Sequence, residues 1–238
     1  MIDEHFPRPR ELKALDKATL KFLRCSAIIA NNFPQLTQSA NATYATVNID
    51  HGMLSFESQL SLQMEQASTS TPREVYIGAL IGVKSKKLYD NVCYSVAIGE
   101  SGTPRKRLLR KFHFDYEDPG NRNTREPKPS FHLQFCGELS PGLKQAGYGD
   151  DHVGHLCPWL SKPRVPFMPM SLALLLNMIL LECRQTPEAH KVLEAPEWRG
   201  VVETNEDKIL KPFFRDCAKF VNGPKRRLLT NEFYYNRS

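Results

Sequence analysis

Apolar and polar residues change their spacing along this chain, and the changes divide it into a helix, a run of strands and a second helical part. Between residues 10 and 33, Leu12, Leu15, Thr19, Phe22, Leu23, Ser26, Ile29 and Ala30 fall three and four residues apart. That spacing lays one apolar stripe along an α-helix. Asn31, Asn32 and Pro34 are stop signals, so the helix is expected to close there.

From Thr43 the period falls to two. Val47 and Ile49 lead into Asp50-His51-Gly52, a hairpin signal, and Leu54, Phe56, Leu60 and Leu62 return from it. A polar break at 67–72 precedes Val75, Ile77, Ala79, Ile81 and Val83. Ser85-Lys86-Lys87 marks a turn before Val92, Tyr94, Val96 and Ile98. Alternating runs at 107–116 and 130–139 come next. No gap between these runs holds a crossover helix, so the strands are expected to pair as antiparallel neighbours. About six of them would form a curved meander over residues 43–139.

Residues 141–169, rich in Gly, Pro, Asp and His, read as an irregular excursion long enough to suggest a task of its own. Ser171 then opens a helix that is apolar on nearly every side from 172 to 181, the pattern of an enclosed core helix. Pro187 and Pro196 cut the chain beyond it into short pieces. Thr204-Asn205-Glu206-Asp207 resembles a helix cap, and Ile209, Phe213, Cys217, Phe220 and Val221 continue at helical spacing. Pro212 must kink that last helix or begin it. The class is α+β, with a helix, an antiparallel sheet and a helical part at 170–238, organised as a single domain over 1–238.

Composition narrows the setting. Of 238 residues 41% are hydrophobic and 24% charged, which excludes a disordered chain, and the formal net charge of +6 favours anionic partners. The six cysteines form no CxxC pair and no secretory signal precedes them, so a cytoplasmic protein with reduced thiols is expected. The apolar run at 168–181 contains Asn177 and is too short to cross a bilayer, so no membrane insertion is expected. There is no Walker loop, dinucleotide glycine fingerprint, HExxH or GxSxG elbow. No cofactor is expected.

The stretch 107–138 holds the candidate chemistry. Phe112, Phe114 and Tyr116 alternate with His113 and Asp115, and Phe131, Leu133 and Phe135 alternate with His132 and Gln134. Paired antiparallel, the two strands would set His113, Asp115, His132 and Gln134 on one face. There the two imidazoles can divide acid and base duties, with Asp115 orienting one of them, or two His and the Asp can hold a divalent metal. Arg105, Lys106, Arg107, Arg110, Lys111, Arg122, Arg125 and Lys128 flank this face and suit phosphate contacts. Phe112, Phe131 and Tyr148 offer aromatic surface for base stacking, although alternation turns the two phenylalanines towards the core. His152, His155 and Cys157, with Cys136, Asp150 and Asp151, fit no common zinc spacing. The tail carries Lys225, Arg226, Arg227, Tyr234 and Tyr235, a mixture suited to capture by a partner protein.

Together these features point first to a binding or regulatory subunit that engages an acidic partner, above all single-stranded nucleic acid. A metal-independent ribonuclease or phosphodiesterase built on the His pair is the second expectation. A protein-interaction component such as an antitoxin, chaperone or assembly subunit is the third.

Overall fold

The structure, a computed structural model, describes residues 9–47, 51–62, 73–85, 88–117, 131–135, 141–148 and 165–223. The amino-terminal helical part is more segmented than its periodicity suggests. Helix α1 (Pro9–Cys25) ends at Ser26, α2 (Ala27–Asn32) adds six residues, and α3 (Pro34–Thr46) begins almost at once. Pro34 therefore starts a helix where it was expected to close one. As the first residue of α3 its missing N–H leaves no bond unmade, and its fixed φ suits the helix. The expected strand around Thr43 and Val47 is also helical up to Thr46. Leu36, Ala40, Thr43 and Val47, four, three and four residues apart, are all buried, which is a helical stripe carried in part by β-branched residues.

Among the described residues five main strands make the sheet, one fewer than expected. They are β1 (Gly52–Ser61), β2 (Arg73–Ser85), β3 (Leu88–Glu100), β4 (Arg107–Glu117) and β5 (Phe131–Phe135). Each pairs antiparallel with the next, and the two-residue β6 (Val165–Pro166) pairs with β5. Among the described residues, strand β1 is an edge. There the Ser39 and Thr43 hydroxyls of α3 donate to the Glu57 and Ser55 carbonyls at 2.5 and 3.0 Å, which occupies groups that would otherwise invite another strand.

One face of the sheet is the core face. Phe56, Ile77, Val96 and Phe114 from the strands share a continuous core with Leu12, Leu15 and Leu23 of α1 and with α5 (Leu172–Glu182). Helix α5 is enclosed as expected, and Ser171 caps it by accepting from Leu174 N. A buried polar knot ties the layers. Asp16 accepts from the Tyr94 hydroxyl at 2.5 Å and from Leu172 N, the first amide of α5, at 3.0 Å. A carboxyl at a helix amino terminus satisfies an amide that has no partner within its own helix.

Pro187 and Pro196 each begin a helix, α6 (Pro187–Glu194) and α7 (Pro196–Asn205). The expected cap at Thr204–Asp207 is absent, because the chain is helical through it. A π-helical segment, Glu206–Leu210, joins α7 to α8 (Lys211–Val221) without a break. Asn205 is buried inside that rod. It accepts from Ser171 Oγ and donates to the Val201 carbonyl, both at 2.8 Å, so its side chain serves the core. Pro212 lies just past the π segment, where wider i→i−5 bonding such as Lys211 N to Glu206 O accommodates a residue with no amide hydrogen. Among the described residues, no helix is long and apolar enough to cross a membrane.

Candidate functional site

The opposite face of the sheet carries the polar half of each alternating strand, and the register sets those side chains in rows. One row runs Glu57, Gly78, Ser95, His113, Gln134 across β1 to β5. The next runs Ser55, Leu80, Cys93, Asp115, His132. Partners in a row have Cα atoms about 4.5–5.5 Å apart, so adjacent rows bring several functional groups within contact. His113, Asp115 and His132 meet in this way. Asp115 Oδ2 lies 3.1 Å from His113 Nε2 and 3.3 Å from His132 Nε2. Gln134 shares the face, directly opposite His113.

Both imidazoles are buried, His113 at 8% and His132 at 2% exposure, while the Asp115 side chain keeps 19%. Burial alone would push the Asp115 carboxyl up. The hydrogen bonds and charge of His113 and His132 outweigh it and hold the carboxyl well below the usual carboxylate range. Cys93, opposite Asp115 on β3, belongs to the same group. Its sulfur, a His113 nitrogen and an Asp115 oxygen lie within 4.8 Å of one another. Burial and then the Asp115 carboxylate push the Cys93 thiol up, against the Lys111 ammonium. No motif marks Cys93 in the sequence. Its signal was its place between Val92 and Tyr94, which assigns it to the polar face.

A cleft of about 330 Å³ opens on this face beside the cluster. Glu57, Gln59, Tyr76, Gly78 and Ser95 line it, and Ser95 is the cross-strand neighbour of His113. Helix α4 (Pro141–Gln145), inside the expected excursion, closes one end through Leu143 and Gln145, with Ala146 just beyond it. Tyr148 anchors that end. Its hydroxyl donates to Glu74 Oε2 at 3.1 Å, Tyr76 donates to the same oxygen at 2.8 Å, and the two rings meet edge to face.

The other expected site residues separate. Lys111 lies on the cluster's face, whereas Arg110, next along β4, is exposed and paired with Ile98 of the core-facing set. Arg107 begins β4. Arg105, Lys106, Arg122, Arg125, Lys128 and the tail residues Lys225, Arg226, Arg227, Tyr234 and Tyr235 lie outside the described residues, as do Cys136, Asp150, Asp151, His152, His155 and Cys157. The stacking platform does not form from the three aromatics considered for it. Phe112 and Phe131 pack with the main core, and Tyr148 is buried against Leu108 and Ala97.

No family model, curated protein or solved structure matches this chain. Its function must therefore be argued from the chemistry of the cluster and the cleft.

Proposed function

We propose that this chain is a phosphodiesterase acting on single-stranded nucleic acid, with His113, Asp115 and His132 at its reactive centre and the adjoining cleft as the seat of the substrate. One observation carries the reading: a single carboxylate oxygen faces both imidazoles at 3.1 and 3.3 Å on the polar face of the sheet. Charge supplies the substrate class. The net +6 favours a polyanion, and Lys111 stands on the same face as the cluster. A reducing, cytoplasmic setting suits Cys25, Cys93, Cys183 and Cys217, which are free thiols.

Hydrolysis of a phosphodiester forms a bond from a water oxygen to phosphorus and breaks the bond to one sugar oxygen, which takes up a proton. The centre must help the water lose its proton and offset charge on the phosphate. In the simplest version one imidazole takes the water's proton while the other, protonated, gives one to the departing sugar oxygen. The deep burial of His132 and the turn of both Nε2 atoms towards Asp115 favour a holding role for these groups.

The test is one gel of labelled single-stranded RNA and DNA, read for both shift and cleavage, with and without EDTA. Cleavage that falls at least 100-fold in Asp115→Asn, with the circular dichroism spectrum unchanged, is the expected result. A salt-sensitive shift without cleavage would overturn the enzyme and restore the binding subunit. Neither shift nor cleavage would leave the protein-interaction role, tested by loss of a partner on deletion of residues 225–238.

A further inference from the structure

We infer that Cys93, His113 and Asp115 form a binding site for one zinc-class divalent metal, held by their sulfur, nitrogen and oxygen atoms, with His132 bonded to the ligating carboxylate. Three strands supply the site. Cys93 comes from β3, His113 and Asp115 from β4, and His132 from β5, on adjacent rows of one face. Residues 113 and 115 lie two apart on one strand, so both project to the same side.

The distances suit a metal. Tetrahedral zinc with nitrogen and oxygen ligands near 2.1 Å places those ligand atoms about 3.4 Å from each other. His113 Nε2 and Asp115 Oδ2 are 3.1 Å apart. The Cys93 sulfur, which lies within 4.8 Å of both partners, would have to close by no more than about 1.2 Å to reach a zinc–sulfur bond near 2.3 Å. The ligand types select the ion. Magnesium and calcium take oxygen ligands, whereas a thiol with an imidazole and one carboxylate suits zinc, and the thiol gives up its proton on binding.

His132 has a separate part. It lies outside the three-residue group yet reaches Asp115 Oδ2 at 3.3 Å, the placement of a second residue that fixes a ligand's orientation. Three protein ligands leave a tetrahedral ion one position for water, the arrangement of catalytic rather than structural zinc. A zinc held there by Cys93, His113 and Asp115 would polarise a water and offset charge on the phosphate, and His132 would keep Asp115 in place. That use of the metal rests on the phosphodiesterase reading; the site itself does not.

The full chain, stripped of metal by chelation, is titrated with cobalt(II) and followed by absorbance, then loaded with zinc and assayed for cleavage. One equivalent of cobalt with a thiolate-to-metal charge-transfer band is expected. Cys93→Ser abolishes that band, Asp115→Asn weakens binding at least 100-fold, and His132→Ala keeps the band while weakening binding roughly 10–100-fold. A thermal melt of each metal-free variant separates lost binding from lost folding. If Cys93→Ser does not fold, Cys93→Asp takes its place, with cobalt retained and the sulfur band gone. Absence of cobalt binding, or a sulfur band that persists in Cys93→Ser, overturns the site. Tight binding without cleavage by the zinc form upholds the site and removes the hydrolase reading. Cleavage by the metal-free chain upholds the hydrolase reading and removes the metal from its chemistry, while cobalt binding alone decides the site.

Discussion

Ser58 stands on the core-facing side of β1, opposite Ile77, and among the described residues its buried Oγ has no hydrogen-bond partner. A buried hydroxyl without a partner costs about 1–3 kcal/mol of desolvation. Ser58→Ala is therefore expected to stabilise the fold by about 1 kcal/mol, read as a higher urea midpoint at unchanged slope. A lower midpoint would mean that the hydroxyl does useful bonding. On the polar face, single residues were legible to different degrees. His113, Asp115 and His132 announced themselves because aromatic residues alternate with them so regularly. Cys93 did not, because its approach to Asp115 depends on the β3–β4 register. A register shift between Ile98 and Gly99 displaces that pairing from what counting back from the turn would give.

Elements show a similar division. The strands from β2 to β5 and helix α5 were readable from spacing alone. Helix α3 was not, since Thr43 and Val47 favour strands by propensity while their four-three-four spacing with Leu36 and Ala40 serves a helix. Tertiary burial decided the matter. The union of α4 with the sheet rests on a missing side chain. A Cβ on Gly99 would stand 2.1 Å from the Tyr148 hydroxyl. Gly99→Ala must therefore push Tyr148 off its seat and separate it from Glu74, at a cost of about 1–3 kcal/mol. In a Tyr148→Ala background the same change should cost little, so the double-mutant cycle is expected to be strongly non-additive. Additive losses would show that Gly99 and Tyr148 act independently.

For the whole molecule, the Asp16 knot has the widest reach. Burial, opposed by donors from Tyr94 and Leu172, pushes the Asp16 carboxyl up to about 7. The unfolded carboxyl titrates near 4, so the folded chain holds the extra proton between those values. Stability from this group is full below about pH 4 and declines as pH rises through 7, by on the order of a few kcal/mol. Asp115 works in the opposite direction: its contribution is present above about pH 4 and is lost on acidification. The two windows meet near pH 4, which lets them be separated. Urea unfolding at pH 5 and pH 8 should show a weaker fold at the higher pH, and Asp16→Asn should flatten the difference. An unchanged slope in that variant would rule out Asp16 as its source. The α+β layering was visible in the sequence, whereas this knot was not, because its partners lie 78 and 156 residues from Asp16.

That separation also sets a timetable. A ribosome adding roughly 5–20 residues per second needs on the order of 8–30 s to travel from Asp16 to Leu172. The main strands are complete once Phe135 has emerged, well before α5 begins. From then until Leu172 is added, the nascent sheet has α1 but not α5 to cover its apolar face, and the Asp16 carboxylate still waits for its amide. A chain built in this order is exposed to aggregation while it is being made, and it is the kind of client that a chaperone at the ribosome exit would shield until its last third arrives.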